Sequence, residues 1–356
     1  MNLLYDFPSQ KVGDGGDIRE RAEVTTAENP RHHPPPLKDA IDKYEAWQLE
    51  YSKRQDAENK ITLPLYHYTN AEGLRGIFES KQIWFTDYRH LNDPSEFLHG
   101  LEFARDIAGQ LKESADSRAK FFLDQFITRF RSETFDKGFE FYIASFSRKR
   151  NDLGQWRAYA DNGQGFAIGF APPLFEILQN LPADKPPDFV SAVKYTRTLD
   201  VSALYTPPIR KATELFLSAA MTNADLIENE AIGITFFDEM INRLISALIL
   251  TAVTTKHSAY DHEEEVRLVI ADSATKLLPF VKTRLRGSEM IPYIPQPWPV
   301  QEPGNVVEIV VGPAAPPDTE RTLRKFLSSL GMDFENIRRS DIPYRALSPR
   351  LDTSLR

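Results

Sequence analysis

The sequence predicts an α+β protein with a split, mostly antiparallel sheet flanked by helices, and three observations carry that expectation. Short segments rich in β-branched and aromatic residues, such as 64–70, 141–147, 166–170, 266–270 and 306–311, alternate with helical stretches. A long helical pattern over about 208–256, with Leu215, Leu217, Ala220, Phe236, Phe237, Met240, Leu244 and Leu248 apolar, reads as an insertion among them. A run of carboxylates, Asp261-His262-Glu263-Glu264-Glu265, enters the apolar stretch Val266-Arg267-Leu268-Val269-Ile270, which reads as a buried strand.

Composition bounds the function classes. Across 356 residues, 41% apolar and 26% charged content is that of an ordinary folded protein with ample material for a core. No run reaches the roughly 20 apolar residues of a membrane span. The nearest, 244–253, is flanked by Arg243 and Lys256, and the start, Met1-Asn2-Leu3-Leu4-Tyr5-Asp6, lacks the basic region of a secretion signal. Zero cysteines excludes disulfides, thiol catalysis and cysteine-ligated zinc, and a cytoplasmic location is the expectation. A net charge of -8 argues against broad electrostatic binding of nucleic acid, leaving only a local basic groove open.

In chain order, 1–36 reads as a mobile arm whose His32-His33 pair is linker rather than metal site, since no third ligand lies nearby. A charged helix over 37–60 follows, with Ile41, Tyr44, Trp47 and Tyr51 on one stripe, suited to core packing or to docking a protein partner. Residues 61–347 are expected to form a single α+β domain carrying the insertion at about 208–256, and 348–356 a tail. Strand 64–70 leads into a helix over 71–80 capped by Thr69 or Asn70, then a strand at 83–85. The loop Leu91-Asn92-Asp93-Pro94-Ser95-Glu96 opens a helix over 96–110, and 118–130 is a second. Strand 141–147 ends in Ser145 and Ser147. The segment 155–161 makes a helical turn, and Asn162-Gly163-Gln164-Gly165 a tight turn into 166–170. Those glycines fit turn geometry, since neither a Lys-Ser/Thr pair nor Gly-x-Gly-x-x-Gly follows. Proline clusters surround a short helix near 172–187 and introduce a strand at 189–195. After the acidic strand come 277–286, a proline-rich crossing at 292–299, a strand at 306–311, a helix over 319–330 and a final edge strand at 337–345, limited by Pro343.

The chemistry concentrates at the acidic strand. Alternation in an extended chain places Glu263, Glu265 and Arg267 on one face and Glu264, Val266 and Leu268 on the other. Fixed carboxylates beside an apolar strand suit stabilisation of a cation or general-base work. The same pattern also fits a solvated edge with a local ion pair.

Taken together, Leu65-Tyr66-His67-Tyr68-Thr69, the Asn92-Asp93-Pro94 loop, Ser145-Phe146-Ser147, Gln155-Trp156-Arg157-Ala158-Tyr159-Ala160-Asp161 and Glu263 through Val269 resemble a bacterial family of unknown function, DUF2971, over about 64–347. A weaker similarity is to the ADP-ribosyltransferase superfamily. It rests on a histidine on the first strand, a Ser-x-Ser strand end and a Glu-x-Glu before an apolar strand, in that order. This second resemblance implies an NAD-consuming enzyme, a toxin or phage-defence effector, in which Glu265 stabilises the oxocarbenium character of the ribose and Glu263 orients or deprotonates an acceptor. It also implies that His67 binds a ribose hydroxyl, that Tyr68, Trp84 or Tyr159 packs on nicotinamide, and that Ser145, with Ser147, positions Glu265. Arg157, Arg89 and Arg75 are the candidates for the pyrophosphate. The acceptor it implies is a protein, a nucleic acid or a small molecule. Two other function classes fit the residues: a non-catalytic module binding a nucleotide or partner protein, and a metal-dependent hydrolase or nuclease using Asp93, Glu96, Glu263 and Glu265.

Overall fold

Residues 33–58, 60–91, 95–131, 139–178, 188–195 and 201–344 are described by a computed structural model. The expected arm before residue 33, the Asn92-Asp93-Pro94 loop and the 348–356 tail lie outside them. The chain divides into a helical unit, drawn from 33–58, 95–131 and 201–255, and a sheet unit, drawn from 60–91, 140–178, 188–195 and 256–344.

The helical unit explains the apolar stripe near the N-terminus. In helix Pro35–Glu58 the Tyr44 ring is fully buried, its hydroxyl donates to the Pro208 carbonyl at 3.4 Å, and Tyr51 donates to Leu204 at 3.1 Å. The stripe is therefore spent on packing against helix Ser202–Thr222 of the same unit. The expected helical block is three helices, Ser202–Thr222, Ala224–Glu228 and Glu230–Val253, the last capped by Asn229. Helix Ser117–Arg129, capped by Asp116, stacks Phe122 on Phe216 at 4.7 Å and so packs into that block. Gly100, in helix Ser95–Glu113, is required here, because a Cβ would lie 2.3 Å from the Ala252 carbonyl oxygen.

Among the described residues the sheet unit holds one ten-stranded sheet: β1 Leu65–Thr69, β2 Gln82–Asp87, β3 Phe139–Ser147, β4 Phe166–Phe170, β5 Asp188–Ala192, β6 Glu265–Ser273, β7 Lys282–Arg286, β8 Glu289–Pro297, β9 Val306–Val311 and β10 Ile337–Arg339. The order is β10-β9-β4-β1-β3-β2-β8-β7, with β6 pairing both β3 and β5. The β1–β4, β4–β9, β2–β3, β2–β8, β7–β8 and β5–β6 ladders are antiparallel, and β10 pairs parallel to β9 at the edge. The mixed fold with a mostly antiparallel sheet flanked by helices is the one the sequence predicts.

The expected proline-rich crossing is corrected to strand β8. It pairs with β7 over Glu289 to Tyr293 and with β2 over Tyr293 to Pro297, so Pro292 and Pro295 each have a ladder partner on one side only. A proline lacks the N–H for a two-sided ladder but fits where one edge is open. One face of the sheet holds the main core, where Phe146, Phe170, Phe175 and Trp298 meet at ring distances of 5.1 to 6.1 Å. The other face holds a smaller cluster of Tyr66, Tyr68, Trp156, Ala160, Ala167 and Val310. Among the described residues, β1 splits from β3 after a short ladder. β1 meets β3 in register at Tyr66 opposite Ser147, while β2 takes β3 at Tyr142 and Ile143.

Candidate active site

His67 stands at that split. Its Nδ1 lies 3.0 Å from the Ser145 carbonyl, so a side chain takes an acceptor that a continuous β1–β3 ladder would give to a backbone N–H. A carbonyl only accepts, so Nδ1 carries the proton and Nε2 of the neutral ring is an acceptor. Burial lowers the His67 pKa, the Ser145 bond opposes this, and the charge of Arg284 adds to it.

The carboxylates converge, though by a different backbone path from the one strand alternation suggests. Residues Ser258–Glu263 form a 3-10 helix, Glu264 is left-handed with φ 43°, and only then does β6 begin. This turn directs Glu263 and Glu265 onto one cation that the sequence reading missed. Lys256 Nζ lies 2.6 Å from Glu263 and 3.2 Å from Glu265, and sits 4.7 Å from the centre of the Tyr260 ring. Arg267 grips Glu265 with two bonds, from Nε at 2.9 Å and Nη2 at 3.1 Å, as its position two residues along the strand suggests. All four charged residues are at most 8% exposed. Two cations and two anions balance, which is the condition for burying any of them.

Neutral groups complete the cluster. Tyr159 donates to Glu263 at 3.1 Å, and burial followed by the Glu263 charge holds its phenol in the protonated form. Ser147 donates to the Glu263 carbonyl at 2.6 Å, and Tyr195 accepts from the Glu265 N–H at 2.9 Å. The Glu265 carboxyl is pulled two ways. Burial pushes its pKa up, but Arg267, Lys256 and a hydrogen bond from Ser145 outweigh it and hold the value at about 2. Ser145 therefore stands between both motifs, its carbonyl bonded to His67 and its side chain helping to hold the Glu265 carboxyl ionised. No hydrogen bond or ion pair joins His67 directly to either carboxylate among the described residues.

Several expected site residues sit elsewhere. Tyr68 braces the turn after β3, donating to the Lys149 carbonyl at 2.9 Å and accepting from the Asp152 N–H at 3.1 Å, with its ring edge-on to Trp156. Trp84 lies against Tyr293 and beneath the guanidinium of Arg284, a residue sequence reasoning did not single out. Arg157 is exposed without an ion pair among the described residues, Arg89 is committed to Asp87 by bonds of 2.9 and 2.7 Å, and Arg75 pairs with Glu79 on its own helix. A β-branched pair, Thr254 and Thr255, ends the helical apolar run just before Lys256, and that abrupt change was the available signal for the missed lysine. For the metal alternative, Asp93 and the Glu96 side chain lie outside the described residues. Glu263 and Glu265 already spend their charge on Lys256 and Arg267.

Residues 155–268 match a protein family of unknown function, DUF2971, a span that runs from the Trp156 helix into β6. The match supports that family for this part of the chain and names no activity. No curated protein and no solved structure matches the chain. No described helix is long and apolar enough to cross a membrane.

Proposed function

We propose that this protein cleaves the bond between nicotinamide and ribose in NAD and transfers ADP-ribose to an acceptor. The observation that carries the reading is the place of Ser145, between the histidine of the first strand and the carboxylate that opens β6. Three segments far apart in sequence meet there, where β1 parts from β3. Glu265 is ionised at neutral pH and held in a fixed position by Arg267, which suits a carboxylate that stabilises developing positive charge without reorganising. Nε2 of His67 is an acceptor for a ribose hydroxyl, and Tyr159 brings an aromatic ring to the same cluster. A toxin or phage-defence role would follow from the chemistry only by analogy.

The test is nicotinamide release from NAD in host lysate, comparing wild type with Glu265→Gln. Loss of one transition-state charge predicts a fall of at least about a hundredfold with the fold retained. Equal release by both proteins, or none by wild type, would remove the proposal.

One observation favours a second reading, a non-catalytic nucleotide-binding module. Both oxygens of Glu263 and of Glu265 already have partners, so no carboxylate oxygen is held in reserve for an acceptor. Under it, NAD raises the melting temperature without turnover, and Glu265→Gln changes affinity alone.

A further inference from the structure

Among the described residues, arginines drawn into the sheet unit are paired with carboxylates, and Arg284 is the exception. Arg150 forms two bonds to Glu308 at 2.7 and 2.8 Å, Arg267 holds Glu265, and Arg339 reaches Glu320 at 3.1 Å. Arg284 lies over the Trp84 ring at 5.3 Å and donates from Nη2 to the Thr86 hydroxyl at 3.1 Å. Its Nε is sealed from solvent without an acceptor, and no carboxylate pairs with it among the described residues. Burial and the neighbouring Arg286 both disfavour its charge, against weaker help from Tyr293 and Glu72. Drawing a guanidinium inward without a counterion costs stability, so its retention needs a compensating role.

The surroundings indicate what would compensate. Alternation along β7 places Lys282, Arg284 and Arg286 on one face. Arg286 is balanced by Glu289 at 2.9 Å, whereas Lys282 is exposed with no ion pair among the described residues. Two cations thus remain uncompensated side by side on β7. A carboxylate would neutralise one of them, while a doubly charged phosphoryl group would neutralise both. Trp84 and Thr86 hold the guanidinium plane, and a planar fork matches two oxygens of one phosphoryl group.

We propose that Arg284, oriented by Trp84 and Thr86 and assisted by Lys282, is the anchor of a binding site for a phosphoryl group of an inorganic or nucleoside polyphosphate. The site stands on β2, β7 and β8 rather than on the carboxylate cluster, and it does not depend on NAD cleavage.

The experiment measures thermal stability and calorimetric binding of the full chain with inorganic phosphate, pyrophosphate and ADP, each against sodium chloride of equal ionic strength. Saturable stabilisation by at least one probe is expected in wild type. Arg284→Met should abolish it while leaving the ligand-free melting temperature unchanged or higher. Arg284→Lys should bind at least about tenfold more weakly, because a point charge replaces a fork. Lys282→Met, at an exposed position, should weaken binding severalfold and keeps the test decisive if Arg284→Met fails to fold. Arg321→Met, an exposed change on helix Thr319–Ser329, is the control and should bind as wild type. Response to pyrophosphate identifies a polyphosphate site, and response to ADP alone identifies a nucleotide site. Absence of saturable stabilisation by every probe, or unchanged binding in both Arg284→Met and Lys282→Met, would overturn the proposal. Glu265→Gln should retain the response, so this site and NAD cleavage fail separately.

Discussion

Two guanidinium groups in the sheet unit, one buried and one half-buried, show what a partner changes. Arg267 is 3% exposed and shares Glu265 with Lys256, so its charge is cancelled within the cluster. Arg284 is also drawn inward, yet it has a hydroxyl and an aromatic face in place of a carboxylate. The first arrangement resembles a structural brace that can also hold a carboxylate in position. The second carries an uncompensated cost, the usual mark of a group kept for something outside the protein.

Removing one member of the paired cluster should give the largest effect. Arg267→Leu leaves Glu265 buried with Lys256 as its remaining cation, and about 3 to 5 kcal/mol of stability should be lost in urea unfolding. A loss below about 1 kcal/mol would show that the cluster is hydrated and that its buried geometry does not hold in solution.

Acid should separate the cluster from His67. The Glu265 pKa falls from 4.5 to about 2 on folding, so its contribution is present above pH 4.5 and is lost as pH falls toward 2. The integrated amount is on the order of 3 kcal/mol and should be missing from the acid limb of Glu265→Gln. His67 acts in an earlier window. Its folded pKa lies below 6.5, the unfolded chain takes up the proton first, and stability starts to fall as pH drops through 6.5. His67→Gln should flatten that first decline and leave the second.

Smaller changes sharpen the comparison. Glu264 adopts φ 43° with its side chain half exposed, while its carbonyl accepts from the Arg148 N–H at 3.0 Å. Glu264→Gly should relieve the left-handed strain and alter stability by less than about 1 kcal/mol, while the Lys256 bridge persists. Arg284→Met should change ligand-free stability least, by about 0.5 kcal/mol or less and toward stabilisation. A large destabilisation would make Arg284 a second brace and erase the contrast with Arg267.

Periodicity made much of the sheet legible. β1, β3, β4 and β9 fall where alternation and turn residues place them, and Asn70 caps the following helix through its bond to the Gly73 N–H at 2.8 Å. Pro292, Pro295 and Pro297 hid β8, because a proline run signals a break unless one ladder edge is known to be open. The convergence of Glu263 with Glu265 was legible, but its cause was not. Alternation assumed an extended chain, whereas a 3-10 helix and a left-handed residue do the work. Lys256 stood out only as the end of the apolar run, because its partners come after a turn that local pattern does not reveal. Arg284 lay in a strand of alternating cations that reads as an ordinary solvated edge until Trp84 is seen beneath it.

The interleaving of the two units constrains how the chain is made. β4 is complete at residue 170, but its neighbour β9 begins at 306, and β2 waits from residue 87 for a β8 that starts at 289. At ribosomal speeds that delay is roughly ten seconds or more. Throughout it, the emerging chain presents unpaired strand edges bearing Phe85, Ile168 and Phe170 while the helical segments are still being synthesised. Production of the intact protein should therefore respond to chaperone supply and to translation rate, and a version shortened before β8 should accumulate as aggregate.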